Sequence, residues 1–264
     1  MTTKEMKANA REQIKGNIGI LFVIWLVYTL IIAAIELLAF VPFLGSIFAL
    51  DWVYLAEAGA MSVIMELIIP ISIATVLVAL VVGAFQLSFA KIFLGLAAGK
   101  RPIIKDAFGG FRKWGKAVWL CIITTFLVIA WSLIGFAPAI GFAGFFGSGT
   151  IPGSVLPWDF FLGLICLAAG AVILIVKAIS YSQAFFVLAD NPNMTAKEAL
   201  NESSDIMDGR FWSFLLLILS FIGWILLGLV TLGIAFIWVG PYMYATLANY
   251  YNSIKGSVSS IDNE

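Results

Sequence analysis

Residues 97–120 have the sequence AAGKRPIIKDAFGGFRKWGKAVWL, which places six of the fifteen Lys and Arg residues between two long apolar runs. The other basic residues occupy equivalent positions. Four precede the first apolar run, two separate the fourth and fifth runs, and Lys255 follows the last. Lys91 and Lys177 lie in the inner parts of the second and fourth runs, where long side chains can snorkel to the same face. The alternate connections contain no Lys or Arg, and this positive-inside bias predicts that both termini are cytoplasmic.

The composition is that of an integral membrane protein. The chain is 62% hydrophobic and 11% charged, with a mean hydropathy of +1.06, whereas soluble domains carry about 25% charged residues. The net charge of zero gives no argument for a nucleic-acid partner. Cations gathered on one face suit anionic lipids of the inner leaflet, at about 1 kcal/mol for each Lys or Arg near the surface. We therefore expect membrane lipids as partners and no nucleic acid.

The absence of histidine excludes several kinds of chemistry. Histidine-dependent nucleophile dyads and triads cannot form, nor can His-ligated zinc or haem sites. The two Cys residues are far apart in the predicted spans, so a thiolate metal site is excluded as well. We expect no catalytic residue, no cofactor and no metal.

The apolar runs predict six transmembrane helices within a single polytopic domain over residues 1–264. A helical span needs about 20 apolar residues. The six spans lie near 17–42, 68–96, 116–138, 159–187, 211–230 and 233–252. Only Thr231-Leu232-Gly233 separates the last two, so they should form a tight hairpin. An even number of spans agrees with both termini lying on one side.

Three amphipathic segments lie on the basic side, near 3–15, 102–114 and 195–208. Each is followed by a glycine among charged or polar residues and then by a span; the glycines are Gly16, Gly115 and Gly209. This recurrence predicts three repeated units, each an interfacial amphipathic helix plus a helical hairpin. An alternative is that the three helices are cytoplasmic and pack on the bundle.

The ends of these helices carry recognisable signals. Thr2 with Glu5, and Thr195 with Glu198, have capping-box spacing. Pro102 suits the first position of the middle helix. We therefore predict that all three segments are α-helices.

The last third of the chain carries a family resemblance. The motifs are Ala189-Asp190-Asn191-Pro192, Ile206-Met207-Asp208-Gly209 and Gly240-Pro241-Tyr242, together with residues 10–17 at the N-terminus. They resemble the bacterial integral-membrane family known as domain of unknown function 975. That family is distantly similar to the membrane portion of some glycerophosphodiester phosphodiesterases. The resemblance implies a six-span protein of the bacterial plasma membrane and supplies no catalytic residues.

Several residues of the resembling block have a structural interpretation. Gly223 and Gly228 should allow close backbone approach on span five. Gly233 suits the reversal after it. Pro241 should kink span six, with Gly240 easing the bend.

Polar side chains inside two spans are the candidate functional site. Span two carries Gln86, Ser88 and Lys91, and span four carries Lys177, Ser180, Ser182 and Gln183. Intramembrane ionisable residues are the usual place to look for function. Either the two groups line a polar cavity open to the cytoplasm, or the lysines snorkel and the polar side chains form hydrogen bonds between helices.

Two functions fit this pattern. The first is a non-enzymatic membrane protein that shapes or locally perturbs the bilayer, or that scaffolds an envelope or secretion process. The alternative is a transporter or accessory permease for a lipid-like or small solute, which would use the polar cluster. A homo-oligomer or an envelope protein partner is compatible with either.

Overall fold

A computed structural model describes residues 2–49, 59–147, 157–231 and 233–261. Over these residues the chain is all-helical and has no strand, which confirms the predicted all-α class. Five segments are long and apolar enough to cross a membrane: Ile18–Leu37, Val76–Ala97, Ile104–Ala137, Gly163–Asp190 and Phe211–Val230. They support a membrane protein and overlap the first five predicted spans.

The helices follow one another in a simple order. They are α1 (Thr3–Ile14), α2 (Ile18–Ala49), α3 (Gly59–Ala97), two 3₁₀ turns (Ile104–Phe108 and Phe111–Lys113), α4 (Trp114–Gly147), α5 (Pro157–Ser180), α6 (Ala184–Asp190), α7 (Ala196–Met207), α8 (Phe211–Leu219), α9 (Ile222–Val230) and α10 (Phe236–Ile261). The chain divides into two compact units. Unit one contains Met1–Cys121 and Phe221–Glu264, and unit two contains Ile122–Ser220.

The core of unit one is built around α10. This helix packs against α1, α2, α3 and α9, and its buried side chains run from Val239 to Ile254. They include the polar residues Thr246 and Asn249. The predicted sixth span, 233–252, is not among the five apolar segments, so a sixth span stays a prediction.

Burial in unit one is concentrated near the ends that carry basic residues. On α3, Val76 and Leu77 are exposed, whereas nearly every side chain from Ala84 to Phe93 is buried or half-buried. On α2, Leu21 and Ile24 are buried, while Leu30 and Leu37 are exposed. Large exposed apolar side chains are stable only when something apolar, such as lipid, covers them.

The helices α1 and α7 are present where the capping boxes predicted them. Thr2 and Thr195 each accept a hydrogen bond from the N–H of the Glu three residues later, and the carboxylate of each Glu accepts one from the N–H of the cap residue. The buried faces are Met6, Ala10 and Ile14 on α1, and Ala196, Ala199, Leu200, Ser203, Ile206 and Met207 on α7. Both faces have the three- and four-residue spacing of an amphipathic helix.

The single α-helix predicted over 102–114 is wrong. The segment forms two 3₁₀ turns that are interrupted at Gly109 and Gly110. Gly110 lies so close to α3 that a Cβ built there would be 2.0 Å from the carbonyl oxygen of Ala84. This contact packs the segment against α3 and leaves no room for a side chain at position 110.

Two predicted spans are interrupted. Span four is α5 and α6, separated by a turn at residues 181–183, and span five is α8 and α9, separated at Ser220 and Phe221. The break at 181–183 frees backbone groups, and the hydroxyl of Ser203 on α7 pairs with two of them. Membrane helices tolerate such breaks where neighbouring side chains satisfy the backbone.

A close helix crossing organises unit two. A Cβ built at Gly135 on α4 would lie 2.8 Å from the Cα of Gly170 on α5. A Cβ at Gly170 would in turn lie 2.9 Å from the backbone of Gly135. Only glycine at both positions allows these helices to approach so closely.

The glycines at the predicted junctions behave differently from one another. Gly16 (φ 90°) and Gly209 (φ 69°) have positive φ one residue beyond the C-caps of α1 and α7, where few other residues are stable. Gly115 lies instead within the first turn of α4, so it is not equivalent to them. The 102–114 segment therefore departs from the predicted repeat at its end as well as in its conformation.

The remaining structural residues lie in unit one. Gly233 has φ 92° in the turn between α9 and α10, and its N–H donates to the carbonyl of Gly228 (2.8 Å). A Cβ on Gly228 would meet the ring of Phe236, and one on Gly240 would meet Trp25. Pro241 lies inside α10. No described atom lies within 4 Å of a Cβ built at Gly223, so the close approach expected there is wrong.

Candidate functional site

Ser88 is fully buried on α3 and anchors the segment that follows this helix. Its hydroxyl accepts a hydrogen bond from the N–H of Gly110 (2.8 Å) and donates one to the carbonyl of Ala84 (3.0 Å). A buried N–H without an acceptor costs about 1–3 kcal/mol. Ser88 therefore holds the interrupted segment against α3.

Lys91 supports the same segment from one turn further along α3. Its Nζ donates to the carbonyl oxygen of Gly109 at 3.2 Å, and the residue is half-buried. Gln86 is half-buried on the same helix. Ser88 thus binds the backbone of Gly110, and Lys91 binds that of Gly109. Both hydrogen bonds join α3 to the segment that follows it in the chain.

The predicted cluster on span four surrounds the break between α5 and α6. The hydroxyl of Ser203 donates to the carbonyl of Ser180 (2.8 Å) and accepts from the N–H of Gln183 (3.2 Å). The hydroxyl of Ser182 donates to the carbonyl of Ile179 (2.7 Å). It also accepts from the side-chain amide of Gln183 (3.2 Å).

Gln183 is the most deeply buried member of this cluster. Its side chain is fully buried, and its Oε1 has no hydrogen-bond partner among the residues that the structure describes. A buried acceptor in this state has a desolvation cost of about 1–3 kcal/mol. The amide nevertheless keeps a fixed orientation because its Nε2 is bound by Ser182.

Lys177 has a different kind of contact. Its Nζ lies over the ring of Trp131, 4.4 Å from the ring centroid, within unit two. Cation–π pairs of this geometry contribute roughly 0.5–1 kcal/mol at exposed sites. The hydroxyl of Ser180 donates to the carbonyl of Val176 and stays within its own helix.

A third anchor joins α1 to α10, and the sequence interpretation missed it. The side-chain amide of Asn249 exchanges hydrogen bonds with that of Gln13 (3.0 and 3.1 Å) and also donates to the carbonyl of Met6 (3.2 Å). The available signal was an Asn inside a predicted span, where a polar side chain needs a partner.

The three segments predicted to be amphipathic therefore share one mode of attachment. Each is joined to a long helix by a buried polar side chain: Asn249 for α1, Ser88 for the 3₁₀ turns, and Ser203 for α7. Such attachments fix the segments rigidly because a broken hydrogen bond would leave a buried group without a partner.

The segment between α3 and α4 has an unusual surface. Ile103 and Ile104 are 55% and 51% exposed, and the aromatic rings of Phe108 and Trp114 are exposed as well. Four basic side chains flank them and are also exposed: Lys100, Arg101, Lys105 and Arg112. Basic residues beside exposed apolar ones are typical of segments that lie in the membrane interface.

The acidic residues give no comparable feature. Among the described residues, no group of three or more His, Cys, Asp and Glu is arranged to hold a metal ion.

Comparison with known proteins identifies the family. The family described as "Protein of unknown function (DUF975)" matches residues 1–257. The chain belongs to the DUF975 family. No curated protein and no solved structure matches the DUF975 chain. The distant similarity to the membrane portion of glycerophosphodiester phosphodiesterases stays a prediction.

Proposed function

We propose that this chain is a non-enzymatic protein of the bacterial plasma membrane that perturbs the inner leaflet locally, and by doing so shapes the bilayer or supports an envelope process. The observation that carries the proposal is the surface of residues 100–114. Its exposed apolar side chains and flanking cations match the two components of interfacial binding, apolar burial and attraction to anionic lipid.

Rigid attachment lets this surface perturb the surrounding lipid. A freely moving amphipathic segment adapts to the bilayer, whereas one fixed to a transmembrane helix forces lipids to adapt to it. The hydrogen bonds from Gly110 to Ser88 and from Lys91 to Gly109 supply that attachment. The resulting thickness mismatch costs fractions of a kcal/mol per Å, enough to alter lipid packing nearby.

The proposed topology has six spans with both termini in the cytoplasm. The sixth span is α10, whose polar residues Thr246 and Asn249 are buried and therefore would not face lipid. The charge distribution supports the orientation, since the basic residues gather on one side of the predicted spans.

The proposed organisation has three repeated units. Its support is the recurrence of one relation: each segment on the basic side is attached by a buried polar side chain. The 3₁₀ turns are attached to α3, which precedes them, and α7 to the end of α5. The first segment, α1, is attached to the last helix, α10.

Transport receives less support than bilayer perturbation. Ser88, Lys91, Ser182 and the backbone of Ser180 and Gln183 are engaged in structural hydrogen bonds. A solute path would need these groups to exchange partners.

Leakage from liposomes tests the proposal. The full chain is reconstituted in vesicles of phosphatidylglycerol and phosphatidylcholine that contain a self-quenched dye. Wild type should increase dye release, and the double variant Ile103→Ser/Ile104→Ser should reduce it toward that of empty vesicles.

The matched control is Val230→Ser/Ile234→Ser, which removes two exposed apolar side chains near the turn between α9 and α10. This variant should leak as wild type does. The proposal would be overturned if the wild-type chain released no more dye than empty vesicles do, or if the two double variants reduced dye release equally.

A further inference from the structure

Unit one contains a groove that none of the preceding sections uses. It consists of two cavities of about 290 and 340 Å³ that share Ile14, Ile18 and Trp238 in their walls. Each volume is close to the lower end of the range for small-molecule sites, which begins near about 300 Å³. We call this feature the α2–α10 groove because both helices contribute to its walls.

The walls of the α2–α10 groove are apolar over most of their length. Ile14 and Ile18 line both cavities, and Phe22 and Ile237 extend the second. Gly19 contributes open space, since no described atom lies within 4 Å of a Cβ built there. Such a surface favours a hydrocarbon chain and disfavours a polar solute.

A cation marks one end of the groove. Arg11 lines the first cavity, and its Nε donates to the hydroxyl of Tyr242 (3.2 Å) while its guanidinium lies 5.5 Å from the ring centroid. That hydrogen bond uses one of the five guanidinium N–H donors. The planar guanidinium is the side-chain group best suited to bind phosphate with two parallel hydrogen bonds.

A second cation lies one turn earlier on α1. The Nζ of Lys7 is 4.1 Å from the centroid of the Phe221 ring, and that ring packs edge-on against Tyr242 at 5.2 Å. Partial burial, and then the nearby charge of Arg11, lower the pKa of Lys7. An anion close to Lys7 and Arg11 would offset the repulsion between these two cations.

We propose that the α2–α10 groove binds one phospholipid with an anionic headgroup, its phosphate at Arg11 and one acyl chain along Ile18 and Phe22. The aromatic side chains of Trp224, Trp238 and Tyr242 line the first cavity together with Arg11. The inference rests on the proposed placement of α1 at the inner leaflet, and it adds a defined lipid to the general attraction for that leaflet.

Native mass spectrometry tests the headgroup contact. The full chain in detergent is titrated with phosphatidylglycerol and, separately, with phosphatidylcholine. One phosphatidylglycerol should remain bound at detergent levels that remove phosphatidylcholine. Arg11→Gln should weaken phosphatidylglycerol binding roughly tenfold, the size expected when a charge-assisted hydrogen bond is lost.

Lys4→Gln is the matched control because it removes an exposed cation from the same helix, outside the groove walls. It should leave binding at the wild-type level. Equal weakening by the two variants would show a diffuse charge effect and would overturn the site. Competition by glycerol phosphate as effective as that by phosphatidylglycerol would show an anion site without the acyl chain and would also overturn it.

Filling the groove tests the acyl contact. Gly19→Phe places a ring in the open space of the groove and should abolish the bound phosphatidylglycerol. Gly223→Phe is the control, since Gly223 also has open space around it but does not line either cavity. Binding that survives Gly19→Phe, or a dimer mass in place of the lipid, would overturn the inference.

The two proposals fail separately. If the wild-type chain increases dye release but does not retain phosphatidylglycerol, only the groove is contradicted. If it retains phosphatidylglycerol but does not increase dye release, only the bilayer-perturbing function is contradicted. Arg11→Gln keeps the test valid if Gly19→Phe does not fold, because it changes only an exposed side chain.

Discussion

The segment at residues 104–113 and the helix α7 are attached to their neighbouring helices in opposite ways. Both connect two predicted spans, and in both attachments a serine hydroxyl accepts a hydrogen bond from a backbone N–H. In unit one the serine is on the long helix α3 and the N–H belongs to the connecting segment. In unit two the serine is on the connecting helix, and the N–H belongs to the break between α5 and α6.

This difference shows whether the conformation of each connecting segment is specified locally or by the long helix beside it. The helix α7 has its own capping box and apolar face, so it is specified locally. The 104–113 segment has a local cap at Asp106, whose carboxylate accepts from the N–H of Ile103, but its two adjacent glycines are held by Ser88 and Lys91 of α3. In unit two it is the long helix that is interrupted, and α7 satisfies the freed backbone groups.

The largest expected effect is at the contact between Gly110 and α3. Gly110→Val should lower the free energy of unfolding by about 3 kcal/mol, because the new side chain would overlap the backbone of Ala84. Chemical unfolding in detergent, followed by circular dichroism, measures this loss. Gly115→Ala is the control: a Cβ there meets no described atom, and it should stabilise the chain by about 0.5 kcal/mol. Equal stability of the two variants would contradict the close contact.

The two serines should have similar effects if they play equivalent roles. Ser88→Ala and Ser203→Ala should each destabilise the chain by about 2 kcal/mol, since each leaves a buried N–H without its acceptor. Hydrogen exchange should show where the loss appears: at Gly110 for Ser88→Ala and at Gln183 for Ser203→Ala. An effect of either variant below about 0.5 kcal/mol would contradict the equivalence.

The local specification of α7 predicts a smaller effect. Thr195→Ala should cost about 1 kcal/mol, the usual value for loss of an N-cap side chain. Hydrogen exchange should accelerate in the first turn of α7 and stay unchanged at residues 104–113. Thr2→Ala serves as the matched variant on α1. Exchange that accelerates equally in both connecting segments would show that they are not independent.

The smallest expected effect is at Lys91. Lys91→Met keeps the length and apolar stem of the side chain but removes the hydrogen bond to Gly109, and should cost about 0.5 kcal/mol. Thermal unfolding in detergent measures the stability lost by Lys91→Met relative to that lost by Ser88→Ala. A loss larger than that of Ser88→Ala would mean that Lys91, and not Ser88, holds the segment.

Periodicity and caps predict the elements that are locally specified. Both α1 and α7 begin where they are predicted to begin because Thr2 and Thr195 cap them. The break at residues 181–183 was not predictable in the same way, because its backbone groups are satisfied by Ser203, about 20 residues later in the sequence. Only the fold brings these groups together.

The candidate site shows the same limit. The sequence identifies Ser88, Lys91 and Gln183 as unusual polar residues in apolar runs, and the structure gives all three hydrogen-bonding roles. Their partners are mainly backbone atoms, which carry no signal of their own in the sequence. The pairing of Asn249 with Gln13 was missed because the two residues lie at opposite ends of the chain.

Thiol labelling in intact cells tests the central claim, that the anchored segments lie at the cytoplasmic face, most directly. In a chain with Cys121→Ala and Cys166→Ala, single cysteines are introduced as Lys105→Cys and Ile234→Cys, at two exposed positions. A membrane-impermeant maleimide should label Ile234→Cys in intact cells and Lys105→Cys only after permeabilisation. Labelling of Lys105→Cys in intact cells, with Ile234→Cys protected, would contradict the account.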